Sequence, residues 1–222
     1  MTPLETEARA WAAQAPDVPE HWFVRPSTLH GVRHTQRVHV HVQRLTGELC
    51  WDDADTRLAL CAALWHDIGR TNDGEDSRHG AQSAARVLEL GLPDEPPTGE
   101  PLSTADADLV LFAIVHHCLS DEEAAAATGW WNADRLRGAM RRPGDARPAP
   151  SGGRVLAQPE RALRVLWMLK DADALDRVRL LPWEAADPDM LRHGHTRTLL
   201  DFAGALYRVT ERSGGGAFWP AP

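Results

Sequence analysis

The segment from Leu58 to Arg70, LALCAALWHDIGR, constrains the fold more than any other part of this chain. Its first eight residues are almost wholly apolar, so a helix formed by them has no polar face and must be buried on all sides. His66 and Asp67 nevertheless stand side by side at its end. A buried carboxylate without a partner costs several kcal/mol, so Asp67 needs a cation close to it.

Composition predicts an all-α fold. Ala, Leu, Arg and Glu dominate the chain, whereas it contains only 4 Phe and 1 Tyr, a balance that favours helix over sheet. A length of 222 residues is consistent with one compact domain that carries additional segments. We therefore expect a single helical bundle without internal repeats.

Apolar spacing and turn signals divide the chain into segments. We predict an N-terminal helix and connector over 1–27, a core over 28–180 and a C-terminal helical extension over 181–222 that packs on the core. Within the core, the Pro/Gly/Arg-rich stretch 141–158 is typical of a mobile loop. Helices are predicted at about 4–14, 33–49, 53–68, 77–90, 104–118, 160–177 and 196–212, with another one opened by a capping box of Ser120 and Glu123.

Charge and targeting signals limit the partners. A net charge of −8 and a pI near 5.7 argue against binding to extended nucleic acid or to a membrane surface, but they allow a small anionic substrate. Three cysteines without metal-finger spacing are typical of reduced thiols in a cytoplasmic protein. There is neither a signal peptide nor a long apolar stretch. The sequence leaves the oligomeric state open, and a homodimer is among the states that it allows.

Three predicted helices each direct polar residues towards the core. Because helical neighbours lie three or four positions apart, His34, the His66–Asp67 pair and Asp173 share faces with apolar residues of their own helices. Taken singly, each also fits a satisfied buried histidine or an aspartate paired with arginine. Taken together, two histidines and two carboxylates form a nitrogen and oxygen ligand set that suits manganese, iron, cobalt, nickel or zinc.

Five short motifs occur in an order that resembles the HD domain superfamily. They are HGVRHTQRV, LWHDIGR, HGAQSA, IVHHC and LKDADALDRVR, and the resemblance covers roughly residues 28–180. The resemblance implies a helical bundle and a metal-dependent phosphohydrolase. Carried over by position, it also implies that the metal ligands are His34, His66, Asp67 and Asp173.

Further histidines allow two kinds of site. The resemblance implies that His79 and one of His116 and His117 either bind a second metal ion, with the Asp67 carboxylate as a bridge, or contact a substrate phosphate; a plain surface position for His79 also stays open. The free backbone donors at the start of the His79 helix favour an anion. The turn-rich composition of the preceding loop also favours the phosphate role for His79.

The predicted reaction is hydrolysis of a phosphoester or phosphoanhydride bond in a nucleotide or another small phosphorylated metabolite. In this hypothesis Asp67 also orients the attacking water, and His79 and Lys170 neutralise charge that develops on the phosphoryl group. Substrate contacts are assigned to His79, His116 or His117, Lys170 and Arg37. Two alternatives stay open, namely a di-iron oxygenase of the HD type and a ligand sensor that keeps the fold without catalysis.

The remaining histidines are given no catalytic role. Five of them are predicted to lie on polar faces or in loops: His21, His39, His41, His193 and His195. His30 is less easily assigned, because it stands just before the helix of the first predicted metal ligand, His34.

Overall fold

The fold is all-α, as the composition predicts. The computed structural model describes residues 1–131, 156–180 and 186–211, and within these ranges it contains eight α-helices and no strand. The helices are α1 Pro3–Ala12, α2 Val32–Glu48, α3 Asp53–Trp65, α4 His79–Glu89, α5 Thr104–His116, α6 Asp121–Ala127, α7 Pro159–Leu175 and α8 Leu200–Glu211. Most of the predicted mobile loop, residues 141–155, lies outside the described residues.

Side-chain caps set the starts of several helices. The predicted capping box is present, because the Ser120 hydroxyl accepts from the backbone N–H of Glu123 while the Glu123 carboxylate accepts from that of Ser120. Asp52 caps α3 and Ser103 caps α5 in the same way, each bonding to an amide three residues later. Since such caps satisfy otherwise orphaned N–H groups, these starts are fixed locally by the sequence.

Helix α3 lies at the centre of the bundle. It packs against α2, α5 and α7, with a smaller contact to α4, which is the surrounded position that its apolar sequence predicts. It ends at Trp65, three residues before the predicted end, and His66 follows as the C-cap with helical φ and ψ of −62° and −31°. His66 and Asp67 therefore lie in the turn that leaves the most buried helix.

A second, smaller apolar cluster joins the two ends of the described chain. Helix α8 packs against α1 and α2, and the cluster is built around Ala8, Ala12, Val40, Phe202 and Leu206. The face of α2 that is turned away from α3 is thereby covered. Within the described ranges, no helix has both the length and the apolar character needed to cross a membrane.

The prediction that His39 and His41 lie on polar faces is wrong. Both are buried, with 6% and 0% of their surface exposed, and the His41 ring stands edge-on to that of Phe202. The error has a physical cause, because α8 covers this face of α2 from more than 150 positions later in the chain, where no local pattern reveals it. Burial lowers the pKa of each imidazole to about 4.

These buried histidines predict acid sensitivity. His41 stays neutral in the folded chain down to a pH of about 4, whereas the unfolded chain binds its proton near pH 6.5. Unfolded chains therefore bind more protons in this window, and the free energy of unfolding falls as pH drops from about 6.5 to about 4, by about 1.4 kcal/mol per pH unit for each group. We expect His41→Leu to lose less stability between pH 7 and pH 5 than the wild type.

Urea unfolding at a series of pH values, with a chelator present, measures this difference. His21→Leu serves as the matched control because His21 is exposed, and its curve should run parallel to that of the wild type. A His41→Leu curve that is also parallel to the wild type would contradict the assignment.

Candidate metal centre

The first group of polar side chains joins three helices. His34 comes from α2, His66 and Asp67 follow α3, and Asp173 comes from α7. The Nε2 atoms of His34 and His66 are 3.0 Å apart, and they lie 3.5 and 3.6 Å from Oδ2 of Asp67. Oδ1 of Asp173 lies 3.4 Å from Nε2 of His34 and 4.0 Å from that of His66. The four predicted ligands thus share one small volume.

A second group is built on the other oxygen of Asp67. The Nε2 atoms of His79 and His117 are 2.8 Å apart, and they lie 3.5 and 3.7 Å from Oδ1 of Asp67. His79 begins α4, whereas His117 is the C-cap of α5. The carboxylate of Asp67 therefore stands between two pairs of imidazoles, one pair facing each oxygen.

Two glycines allow α4 to lie against the end of α5 and against the turn after α3. A Cβ on Gly80 would lie 2.5 Å from the backbone oxygen of Ile114, and one on Gly69 would lie 2.3 Å from the backbone of Gln82 and Ser83. No side chain fits at such distances, so the start of α4 rests directly on the end of α5 and on the turn after α3. This contact brings His79 beside Asp67.

All four imidazoles use Nδ1 for an oxygen acceptor. Nδ1 of His34 lies 2.7 Å from Oδ2 of Asp176. The others face backbone carbonyls, with Nδ1 of His66 on Ala63 at 2.8 Å, that of His79 on Asp76 at 2.5 Å and that of His117 on Ile114 at 2.6 Å. Because these oxygens only accept, Nδ1 carries the proton in each ring. The Nε2 lone pairs therefore face one another.

Facing Nε2 atoms at these distances need a proton or a metal ion between them. Burial opposes protonation of His34, but its hydrogen bonds to Asp176 and Asp67 raise its pKa. Burial lowers the pKa of His66 to about 3 and that of His79 to about 4, so both rings are neutral near pH 7 and do not supply a bridging proton. Burial alone would raise the pKa of Asp67, but the imidazoles beside it, led by His66, hold that pKa well below its usual range. An ionised carboxylate with neutral imidazoles on both sides is a set of ligands ready for metal.

The residues present fit a divalent transition metal on each side of Asp67. Oδ1 of Asp67 is buried and has no hydrogen-bond partner within the described part of the chain. With bonds of about 2.1 Å, adjacent ligands of one ion lie about 3 Å apart, close to the two Nε2 separations of 3.0 and 2.8 Å. The first group offers two nitrogens and two oxygens, and the second offers two nitrogens and one oxygen.

Asp176 is a site residue that the sequence reasoning missed. Besides holding His34, its buried carboxylate accepts from Nε of Arg37 at 2.6 Å and from Nη2 at 3.1 Å. Burial opposes its ionisation, but Arg37 beside it keeps the pKa of Asp176 below the usual range. Metal-binding histidines commonly donate to a carboxylate, so the Asp three positions after Asp173 was the available signal.

The geometry does not support the substrate contact expected for Arg37. Its guanidinium is 1% exposed and is fully used, by Asp176 on one side and by Glu211 at 2.9 Å on the other. It does not line the cavity beside the histidines. Arg37 instead fixes the carboxylate that orients His34.

His117 and not His116 joins the candidate centre. Nδ1 of His116 bonds to the Phe112 carbonyl at 2.8 Å, and its ring packs against those of Phe112 and Trp131. His116 lines no part of the central cavity among the described residues. Of the two histidines that the sequence leaves open, His117 is the one that lines the cavity.

Lys170 lines the cavity but is already paired. Its ammonium group is 4% exposed and donates at 2.6 Å to the carboxylate of Asp121 and at 2.6 Å to the carbonyl of Leu119. Asp121 also accepts two bonds from Arg192, so it is shared by two cations. Two of its three N–H donors are therefore already used, and its charge is paired with Asp121.

Four residues of the two groups, Asp67, His79, His117 and Asp173, line a cavity of about 690 Å³, a size typical of small-molecule sites. Five basic side chains line its walls: Arg70, Lys170, Arg177, Arg179 and Arg192. Arg70 is 9% exposed, and its Nε lies 3.9 Å from Oδ2 of Asp67 without a hydrogen-bond partner in the described ranges. Five carboxylates also line the cavity, so its walls carry charges of both signs: Asp67, Asp73, Glu75, Asp76 and Asp173.

Comparison with known proteins gives one family. A family model described as the HD domain matches residues 31–178, about two thirds of the chain. Among curated proteins and among solved structures, nothing matches. The match contains three of the five motifs whole and the other two without their outermost residues, His30 and Arg179, and it confirms the resemblance.

Three neighbouring aspartates, in α7 and in the turn that follows it, should differ in their effect on manganese affinity. Asp173→Asn should lower manganese affinity by more than about a hundredfold, since it removes a ligand oxygen, whereas Asp176→Asn should cost about tenfold to a hundredfold through His34. Asp171→Asn is the matched control. Asp171 is buried and accepts from the backbone of Arg192 and His193, so its loss should lower stability and leave metal affinity nearly intact.

Calorimetric titration with manganese, together with thermal unfolding, separates these effects. An affinity loss in Asp171→Asn as large as that in Asp173→Asn would show that the wrong carboxylate has been assigned.

Proposed function

The chain belongs to the HD domain family, and we propose that it is a metal-dependent hydrolase of a phosphoester or phosphoanhydride bond in a nucleotide or another small phosphorylated metabolite. HD proteins are generally metal-dependent phosphohydrolases. The observation that carries the proposal is the single carboxylate of Asp67 between two pairs of facing imidazole nitrogens.

The proposed ligands fall into two sets that share Asp67. His34, His66, Asp67 and Asp173 hold one ion, while His79 and His117 hold a second on the opposite oxygen of Asp67. The facing nitrogens at 2.8 Å favour this role for His79 over the phosphate contact expected from loop composition. When bound, a divalent ion lowers the pKa of a coordinated water and polarises a phosphoryl oxygen.

The protein side chains supply position and charge. Asp67 is held between the imidazoles on the cavity floor, where it also orients the water for attack. Arg70, with its Nε unpaired beside Asp67, is the basic side chain best placed to stabilise charge on the phosphoryl oxygens. It takes the role that the sequence assigned to Lys170, whose ammonium group is held by Asp121.

The cavity suits a small molecule rather than a polymer. The basic side chains face an interior of about 690 Å³, whereas the chain as a whole carries a charge of −8. A small phosphorylated substrate can reach individual basic side chains there, such as Arg70, but an extended nucleic acid meets repulsion elsewhere on the surface. We also propose a cytoplasmic location, which the three free cysteines support.

A di-iron oxygenase is the second candidate. It is favoured by the same observation, since two imidazole pairs around one carboxylate also suit two iron ions. Iron analysis and oxygen uptake distinguish the candidates. A hydrolase should turn over phosphate esters without oxygen and with manganese or cobalt replacing iron, whereas an oxygenase should need both iron and oxygen.

The proposal predicts metal-dependent phosphatase activity. Phosphate release from a panel of nucleotides and small phosphate esters should disappear after chelation and return when manganese is added back. Asp67→Ala should lose both bound metal and activity, because both ions depend on this carboxylate. Turnover that survives complete chelation would contradict the proposal, and so would the absence of turnover across the panel with metal bound.

If two ions are bound, alanine variants of three histidines should differ in metal content. By inductively coupled plasma analysis, the wild type should hold about two ions per chain, and His79→Ala and His117→Ala about one each. His116→Ala is the matched control and should keep two, since its ring bonds to Phe112 away from Asp67. Two ions retained in His79→Ala and His117→Ala would return these residues to the phosphate role.

A further inference from the structure

One face of helix α8 holds the guanidinium group of Arg37. The residues of this face are Tyr207, Thr210 and Glu211, whose spacing of three and four places them side by side on a helix. Cζ of Arg37 lies 5.2 Å from the centroid of the Tyr207 ring. Nη1 of Arg37 donates to the Glu211 carboxylate at 2.9 Å and lies 3.4 Å from the Thr210 hydroxyl. Helix α8 therefore fixes the position of Arg37.

A continuous chain of charged hydrogen bonds leads from α8 to the proposed metal ligand His34. Arg37 donates to both carboxylate oxygens of Asp176, at 2.6 and 3.1 Å. Oδ2 of Asp176 in turn lies 2.7 Å from Nδ1 of His34. All three of these side chains are buried, so water weakens their contacts little. The carboxylate of Glu211 thus reaches the metal centre through two intervening side chains.

Glu211 also balances the positive charge around Asp176. The Asp176 carboxylate faces two arginines, because Nη1 of Arg179 lies 3.4 Å from its Oδ2 in addition to the contact with Arg37. Without Glu211, two guanidinium groups would face a single carboxylate beside a cation site, and the excess positive charge would oppose metal binding. Glu211 accepts from Arg33 as well, at 3.1 Å, but the Arg33 side chain is 30% exposed, so solvent screens its charge.

Helix α8 lies outside the segment that carries the family match. The match covers residues 31–178, whereas α8 spans Leu200–Glu211. Membership of the HD domain family therefore does not by itself imply the contact between α8 and Arg37.

We propose that Glu211 is a positioning residue of the metal centre, which holds Arg37 and Asp176 so that His34 binds its ion tightly. The proposal rests on the proposed function, because it takes His34 as a metal ligand. Docking of α8 and binding of the ion at His34 then favour each other, since coupling between two sites is reciprocal.

Removal of the charge on Glu211 tests this role in the full-length protein. Glu211→Gln should lower the manganese affinity of the His34 site by about threefold to tenfold. This is less than the loss expected for Asp176→Asn, because Glu211 does not touch His34 and is 34% exposed. Glu211→Asp keeps the carboxylate and should recover part of the affinity. Calorimetric titration with manganese measures all three proteins, and the affinity of the site at His79 and His117 should change much less.

Arg208→Gln is the matched control within α8. Arg208 pairs with Glu5 of α1, with Nε and Oε1 3.5 Å apart, so its loss weakens the docking of α8 without cutting the chain to His34. It should lower the unfolding temperature and leave manganese affinity unchanged. A loss of affinity as large as that in Glu211→Gln would show that α8 acts only through overall stability, and it would overturn the proposal.

Nuclear magnetic resonance of the zinc-loaded protein, labelled with ¹⁵N in its histidines, gives a readout that does not depend on activity. Glu211→Gln should shift the Nδ1–H signal of His34 and leave that of His79 in place, whereas Arg208→Gln should move neither. An unchanged His34 signal, or equal manganese affinity in the wild type and Glu211→Gln, would overturn this proposal alone. A wild type that binds no metal would overturn the proposed function together with it.

Discussion

The carboxylate of Asp67 is the constraint on which the site depends. It is buried at the end of the central helix, with one oxygen near His34 and His66 and the other near His79 and His117. Each of these imidazoles has its Nδ1 bonded to an oxygen and turns Nε2 towards this centre. A cation bound between these groups would offset the cost of burying the carboxylate.

The fold provides this arrangement by bringing helix ends together. Helix α3 is surrounded by the bundle, and its final turn delivers the His66–Asp67 pair, while Gly80 lets α4 rest on the end of α5. Arg37 and Asp176 hold the His34 ring from behind. The ligands are therefore positioned by helices of the bundle and by the turns at their ends.

Helical faces predict the residues of the first group, because His34 and Asp173 each share a helix face with apolar neighbours at a spacing of three or four. The same test cannot separate His116 from His117, because α5 ends between them and the helical register ends with it. The sequence does not show that Arg37 pairs with Asp176, because the two residues lie 139 positions apart. The expected substrate contact for Arg37 is therefore not supported by the structure. Nor does the sequence reveal that α4 approaches α5 closely enough to pair His79 with His117, since that contact depends on Gly80 meeting a distant backbone.

The central claim is that two metal ions share Asp67, and anomalous diffraction from crystals soaked in manganese tests it most directly. The account predicts two anomalous peaks at the manganese edge, one beside His34, His66 and Asp173 and the other beside His79 and His117, with an oxygen of Asp67 next to each. A single peak at full occupancy, or density at neither position, would contradict it.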